Sequence, residues 1–154
     1  MDIHIVDDEE IMRSLYAGMM DALNYTAQLF TGPDHYLEYM ASTDYLPPKL
    51  AILSDVQMPV MSGYEFMCAV RKRYPHQRFV IVTGSPEVPT QDEFACFYLL
   101  KPLRLAKLEK VLQAFSLCNE KGAHSDVIRC ASIDDRCAFC VNAWKCPRSG
   151  DSLG

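Results

Sequence analysis

Five residues carry the chemistry this sequence could do: Asp7 and Asp8 side by side near the start, then Asp55, Thr83 and Lys101 far along the chain. Each follows an apolar run: Ile3 to Val6, Leu50 to Ser54, Phe79 to Val82, and Cys96 to Leu100. Carboxylates drawn to one point repel each other, and without a cation among them one carboxyl pKa should rise. A hard cation such as Mg²⁺, which prefers oxygen ligands and retains waters, suits such a set. A lone acid after a strand means little. Three acids, a hydroxyl and a lysine on one rim form a constellation with shared chemistry.

The elements that must bring them together are legible from periodicity. Ile3 to Val6 reads as a short strand, followed by a helix from Glu9 to about Asn24 with Ile11, Leu15, Met19 and Leu23 at i+4 spacing. Thr26 to Phe30 is β-prone, and Thr31-Gly32-Pro33-Asp34 turns the chain into a helix whose Tyr36, Leu37 and Met40 share a face. After Pro47-Pro48, Leu50 to Ser54 fits a strand buried on both faces. A helix from about Gly63 to Tyr74, with Phe66 and Val70 inward, stops at Pro75. Phe79 to Val82 and Cys96 to Leu100 are the last two strands, and Leu103 to Leu117 forms a helix with Leu105, Leu108, Leu112 and Phe115 on one side. Strands alternating with helices predict a five-stranded, doubly wound parallel sheet with helices on both faces. In such a sheet the ligand site lies beyond the carboxyl ends of the strands, at the switch point in strand order. That rule selects Asp7, Asp8, Asp55, Thr83 and Lys101.

On the residues Val6-Asp7-Asp8-Glu9, Ser54-Asp55-Val56-Gln57-Met58-Pro59 with Gly63 following, Thr83-Gly84 and Lys101-Pro102, the chain resembles the receiver domains of two-component response regulators over about residues 1 to 118. The resemblance implies a flavodoxin-like strand order, 2-1-3-4-5. It implies that Asp55 accepts a phosphoryl group from a histidine kinase or phosphotransfer protein. Asp8, Asp55 and the backbone carbonyl of Gln57 should then ligate Mg²⁺ directly, with Asp7 acting through water. Lys101 supplies a point charge to the phosphoryl group and Thr83 a hydroxyl. Tyr98, three residues before the lysine, should follow Thr83 in the switching movement, unless it is simply a half-buried strand tyrosine. The family's Lys-Pro bond is cis. Such a protein is a switch rather than a turnover enzyme, catalysing only its own phosphotransfer and dephosphorylation. Sustained hydrolase chemistry at the acidic site is the less favoured catalytic alternative.

The sequence also departs from the family pattern. Thr83 to Lys101 is shorter than usual, and Ser85-Pro86-Glu87-Val88-Pro89 puts two prolines where a fourth helix normally begins. That helix is expected to be shortened, displaced or lost, which would alter the usual output face. The resemblance implies that Gln57 and Ser85 occupy positions that, in family members, tune how fast the phosphoryl group is lost.

Of 154 residues, 49% are hydrophobic and 23% charged, which predicts a folded core rather than disorder. The formal net charge of −5 and the lack of any basic run denser than Arg71-Lys72-Arg73, read as a solvated helix end, argue against nucleic acid as a partner. No signal-peptide pattern or membrane-length apolar run is present, which predicts a cytoplasmic protein.

Residues 119–154 form a second unit, set off by Asn119-Glu120-Lys121-Gly122, read as a helix stop and linker. Its cysteines, Cys130, Cys137, Cys140 and Cys146, follow a Cys-x6-Cys-x2-Cys-x5-Cys spacing. Four thiolates so close could hold Zn²⁺ or an iron-sulfur cluster, form redox disulfides, or stay inert. His124 is a poorer ligand candidate, and Trp144 reads as a packing anchor. About 35 irregular residues leave no room for a DNA-binding or enzymatic output domain, so output is expected through protein contacts. The rival to a phosphorylation switch is a redox or metal sensor built on the four cysteines, with the receiver fold as its docking scaffold.

Overall fold

The computed structural model describes residues 1–75, 77–84 and 97–121. Within them the chain runs β1 (Ile3–Val6), α1 (Glu10–Ala22), β2 (Ala27–Phe30), α2 (Pro33–Ala41), β3 (Ala51–Asp55), α3 (Gly63–Arg73), β4 (Phe79–Thr83), β5 (Phe97–Leu100) and α4 (Leu105–Lys121). Ser85, the place of the expected missing helix, Cys96, and the tail with Cys130, Cys137, Cys140, Cys146, His124 and Trp144 lie outside the described residues.

The five strands form one parallel sheet in the order β2-β1-β3-β4-β5. Strand alternation divides the core in two, because successive side chains point to opposite faces. Ile3, Ile5, Ala51, Leu53, Val80, Val82 and Leu99 pack on one side with Tyr16 and Met20 of α1 and Leu108, Leu112 and Phe115 of α4. Val6, Ile52, Phe79 and Ile81 pack on the other with Tyr36 and Met40 of α2 and Phe66, Met67 and Val70 of α3. Burial on both faces explains why β1, β3 and β4 read as nearly continuous apolar runs.

Local chemistry sets the helix ends. Pro33 stands at the first turn of α2, where its missing N–H does no harm. Ser62 and Glu65 form a reciprocal capping box at the start of α3, and Arg71, Lys72 and Arg73 complement its carboxyl-terminal end. Arg71 is not merely solvated: its guanidinium lies over the Phe79 ring at 5.4 Å and donates to the Gln77 carbonyl.

Three expectations need correction. The Ile11–Leu15 stripe of α1 faces solvent, at 81% and 48% exposure, while Tyr16 and Met20 fill the core. An i+4 row drifts around a helix of 3.6 residues per turn, so several rows could have served as the inward one. Leu105, the first residue of α4, is likewise exposed, although it is in helical phase with the buried Leu108, Leu112 and Phe115. The last helix continues through Asn119, Glu120 and Lys121 instead of stopping near Leu117. No proline or glycine interrupts it before Gly122, and the Asn119 side chain donates to the Lys49 carbonyl at 2.8 Å.

Candidate functional site

β1 and β3 are neighbours in register, with Ile3 opposite Ala51 and Val6 opposite Ser54, so their carboxyl ends emerge together. Asp7 and Asp55 share the parity of Ile5 and Leu53, which directs both toward the α1 and α4 side. Asp7, Asp8 and Asp55 each offer a carboxylate oxygen within 4.8 Å of the others. Asp7 and Asp55 are buried and Asp8 is exposed, so the cluster opens to solvent on one side only.

Asp7 is held from both ends. Its Oδ1 accepts the Glu9 N–H at 2.9 Å, which fixes the turn into α1, and its carbonyl accepts from Arg13 Nη1 at 2.8 Å. Its Oδ2 is buried with no hydrogen-bond partner among the described residues. Burial pushes the Asp7 carboxyl up to about 6, and the charges of Asp55 and Asp8 add to that, against the Glu9 N–H and Lys101. Crowding of the acids, the cause the sequence suggests, thus adds to a rise that burial dominates. An orphaned carboxylate oxygen beside two further acids on an open rim fits a hard, oxygen-liganded cation that keeps part of its water shell.

Lys101 closes the site from β5. Its ammonium lies 3.0 Å from Asp55 Oδ1, and its backbone N–H donates to the Thr83 carbonyl at 2.8 Å. The Lys101-Pro102 bond is cis. Thr83 ends β4 with the parity of Phe79 and Ile81, and Tyr98, paired in register with Ile81, packs partly buried on that same face. The sheet thus gives Thr83 and Tyr98 a common side.

The loop from Val56 to Ser62 shapes the remaining wall. Gln57 lies there exposed, two residues past Asp55. Gly63 donates its N–H to the Val56 carbonyl at 2.8 Å, and a Cβ on it would stand 2.3 Å from the Asp55 backbone oxygen, so only glycine fits. Val60 adopts a left-handed φ of 76°, uncommon for a β-branched residue, at the exposed tip of this loop.

The structure therefore brings Asp7, Asp8, Asp55, Lys101 and Thr83 to one rim, with Tyr98 nearby. Sequence reasoning missed Arg13, whose lone spacing from Asp7 carries no motif, and the buried Tyr16 hydroxyl beneath the acids. The tail cysteines cannot be added to the site, because they lie outside the described residues.

Comparison with known proteins places the fold in a family. The response regulator receiver domain model matches residues 3–113. The transcriptional regulatory protein FixJ of Azorhizobium caulinodans is 25% identical over 118 residues, covering 74% of this chain and 54% of its own length. The chain therefore spans about half of that relative. The crystal structure of chemotaxis response regulator CheY4 of Vibrio cholerae superposes with a TM-score of 0.62 at 26% identity, covering 72% of this chain and 94% of that one. The signal receiver domain of an HD domain-containing protein from Pseudomonas fluorescens Pf-5 shares the fold, with a TM-score of 0.66 at 19% identity over 77% of this chain and 96% of that one. With the family model matching residues 3–113, most of its length, the chain belongs to the response regulator receiver domain family.

Proposed function

We propose that Asp55 is the phosphoryl acceptor of a two-component signalling switch, charged by a histidine kinase or phosphotransfer protein. The observation that carries this reading is the Lys101 ammonium 3.0 Å from Asp55 Oδ1, beside the three clustered carboxylates. A carboxylate oxygen of Asp55 attacks phosphorus in line. The bond from phosphorus to the donor histidine nitrogen breaks, and its electron pair stays on that nitrogen, which takes up a proton. Lys101 shifts from Asp55 to a phosphoryl oxygen, stabilising the charge that arrives. Asp8, Asp55 and the Gln57 carbonyl would hold Mg²⁺, with Asp7 anchoring it through water. When bound, the cation would supply charge neutralisation for the crowded carboxylates and the incoming phosphoryl group.

Once Asp55 is phosphorylated, the Thr83 hydroxyl donates to a phosphoryl oxygen and moves inward. Tyr98, on the same face of the sheet, follows, and the β5–α4 surface presents a different contour to a downstream protein. The reading is a protein–protein switch acting in the cytoplasm. No helix among the described residues is long and apolar enough to cross a membrane.

The test is incubation with Mg²⁺ and a small phosphodonor such as acetyl phosphate, followed by intact mass. A single adduct of one phosphoryl group is expected, absent in Asp55→Asn and in EDTA. An adduct that survives Asp55→Asn would move the acceptor elsewhere.

A further inference from the structure

At the end of the sheet opposite Asp55, the chain buries a positive charge that nothing in the phosphorylation site uses. Arg78, immediately before β4, is only 1% exposed. Its guanidinium lies over the Phe115 ring at 5.0 Å, and Nη1 donates to the Leu50 carbonyl at 3.3 Å. Its Nε and Nη2 are buried and find no acceptor among the described residues. Buried donors are nearly always satisfied, and a buried charge without a partner is costly.

The two orphaned nitrogens are a particular pair. Nε–H and Nη2–H lie along one edge of the guanidinium and point the same way, so together they match the two oxygens of a carboxylate. The third nitrogen, spent on Leu50, is the one that does not belong to this fork. Arg78 also forms part of the wall of a cavity of about 290 Å³, together with Lys49, Arg73, Tyr74 and Pro48. Three cations line it and, among the described lining residues, no acid does. Lys49 reaches Asp2 only at 4.0 Å, from a largely exposed position.

We propose that this cavity is a carboxylate-binding site, in which a carboxylate is gripped across Nε and Nη2 of Arg78 with Lys49 and Arg73 at the rim. The fork is shut off from water, so binding requires side chains of the wall to rotate before the ligand can reach it. A singly charged, planar carboxylate loses less hydration on entry than a phosphate dianion, which favours the carboxylate. The same group can come from a small free carboxylic acid or from an acidic side chain beyond Lys121, where the sequence carries Asp126, Asp134, Asp135 and Asp151. α4 reaches the rim through the bond from Asn119 to the Lys49 carbonyl.

The full chain is titrated with sodium succinate at constant ionic strength, with sodium chloride as control. The Arg78 Nε–H is followed in ¹H–¹⁵N spectra alongside Tm. A saturable downfield shift and a Tm rise of several degrees are expected. The Tm rise disappears in Arg78→Met, which keeps an apolar stem against Phe115, and both responses weaken in the surface double variant Lys49→Gln/Arg73→Gln. If the chain's own acids fill the site, the resonance starts downfield and succinate acts only after Asp126, Asp134, Asp135 and Asp151 are changed to Asn. The proposal is overturned if neither chain responds saturably, if chloride reproduces the response, or if the response survives in the variants. Should Arg78→Met not fold, the rim double variant decides.

Discussion

Lys101 is bound to the rim twice, by its ammonium at 3.0 Å from Asp55 Oδ1 and by its backbone N–H at 2.8 Å from the Thr83 carbonyl. The residue proposed to sense charge at Asp55 is thereby tied through its own backbone to the residue proposed to move. Replacing the ammonium with an uncharged side chain of similar length, Lys101→Met, removes a charge-assisted bond worth about 1.5–3 kcal/mol. Phosphorylation by acetyl phosphate, timed by intact mass, should slow by roughly 10–100-fold. An unchanged rate would show that Lys101 has no part in the transfer.

Gly63→Ala tests how tightly the loop after β3 is built. The added Cβ would stand 2.3 Å from the Asp55 backbone oxygen, so the α3 terminus or the acceptor strand must shift. The variant should lose about 1–3 kcal/mol in urea denaturation, and its phosphorylation should slow as well. A loss of stability with phosphorylation intact would separate the loop's packing role from the acceptor's geometry.

Tyr16→Phe should be neutral or stabilising, by up to about 1 kcal/mol. The Tyr16 hydroxyl is buried without a hydrogen-bond partner among the described residues, and an unmade bond costs more than its absence. A clear loss of stability in denaturant would mean that a water or bound cation engages that hydroxyl.

Two buried groups oppose each other in acid. The Asp7 carboxyl is raised from 3.8 to about 6, so the folded state holds its proton more tightly; that contribution is present below pH 4 and lost as pH rises through 6. Burial lowers His4 from 6.5 to about 4, with the chain's amino terminus adding to it, so its contribution is present above pH 6.5 and lost as pH falls through 4. Between pH 4 and 6.5 the two slopes partly cancel in metal-free protein. Asp7→Asn removes one of them. In EDTA the variant should gain on the order of 2 kcal/mol over the native chain near neutral pH, a gap that closes by about pH 4. Parallel stability profiles would refute the raised carboxyl. Added Mg²⁺ should stabilise the native chain and do less for the variant.

Much of the fold was readable without coordinates because its strands are buried on both faces. Ala51–Asp55 and Phe79–Thr83 are buried throughout and apolar up to their carboxyl ends, and helical spacing between such runs permits little besides a parallel, doubly wound sheet. The helix faces were harder. In α1, Ile11 and Leu15 are as apolar as Tyr16 and Met20, and only contact with α4 and the sheet decides which row turns inward.

By itself, the sequence determined which side chains meet at the rim: Asp7, Asp8, Asp55, Thr83 and Lys101 each lie at or just past the carboxyl end of a strand, and parallel strands deliver those ends to one edge. Only the tertiary structure decided how those groups are held and what lies elsewhere. The 3.0 Å contact of Lys101 with Asp55, the orphaned oxygen of Asp7 and the common face of Thr83 and Tyr98 depend on strand register and parity. Arg78 makes the same point at the opposite end of the sheet. In the sequence it is one more basic residue at the start of a strand. Packing against Phe115 and Leu50 buries it with two donors unpaired, because solvent exclusion arises between segments distant in the chain.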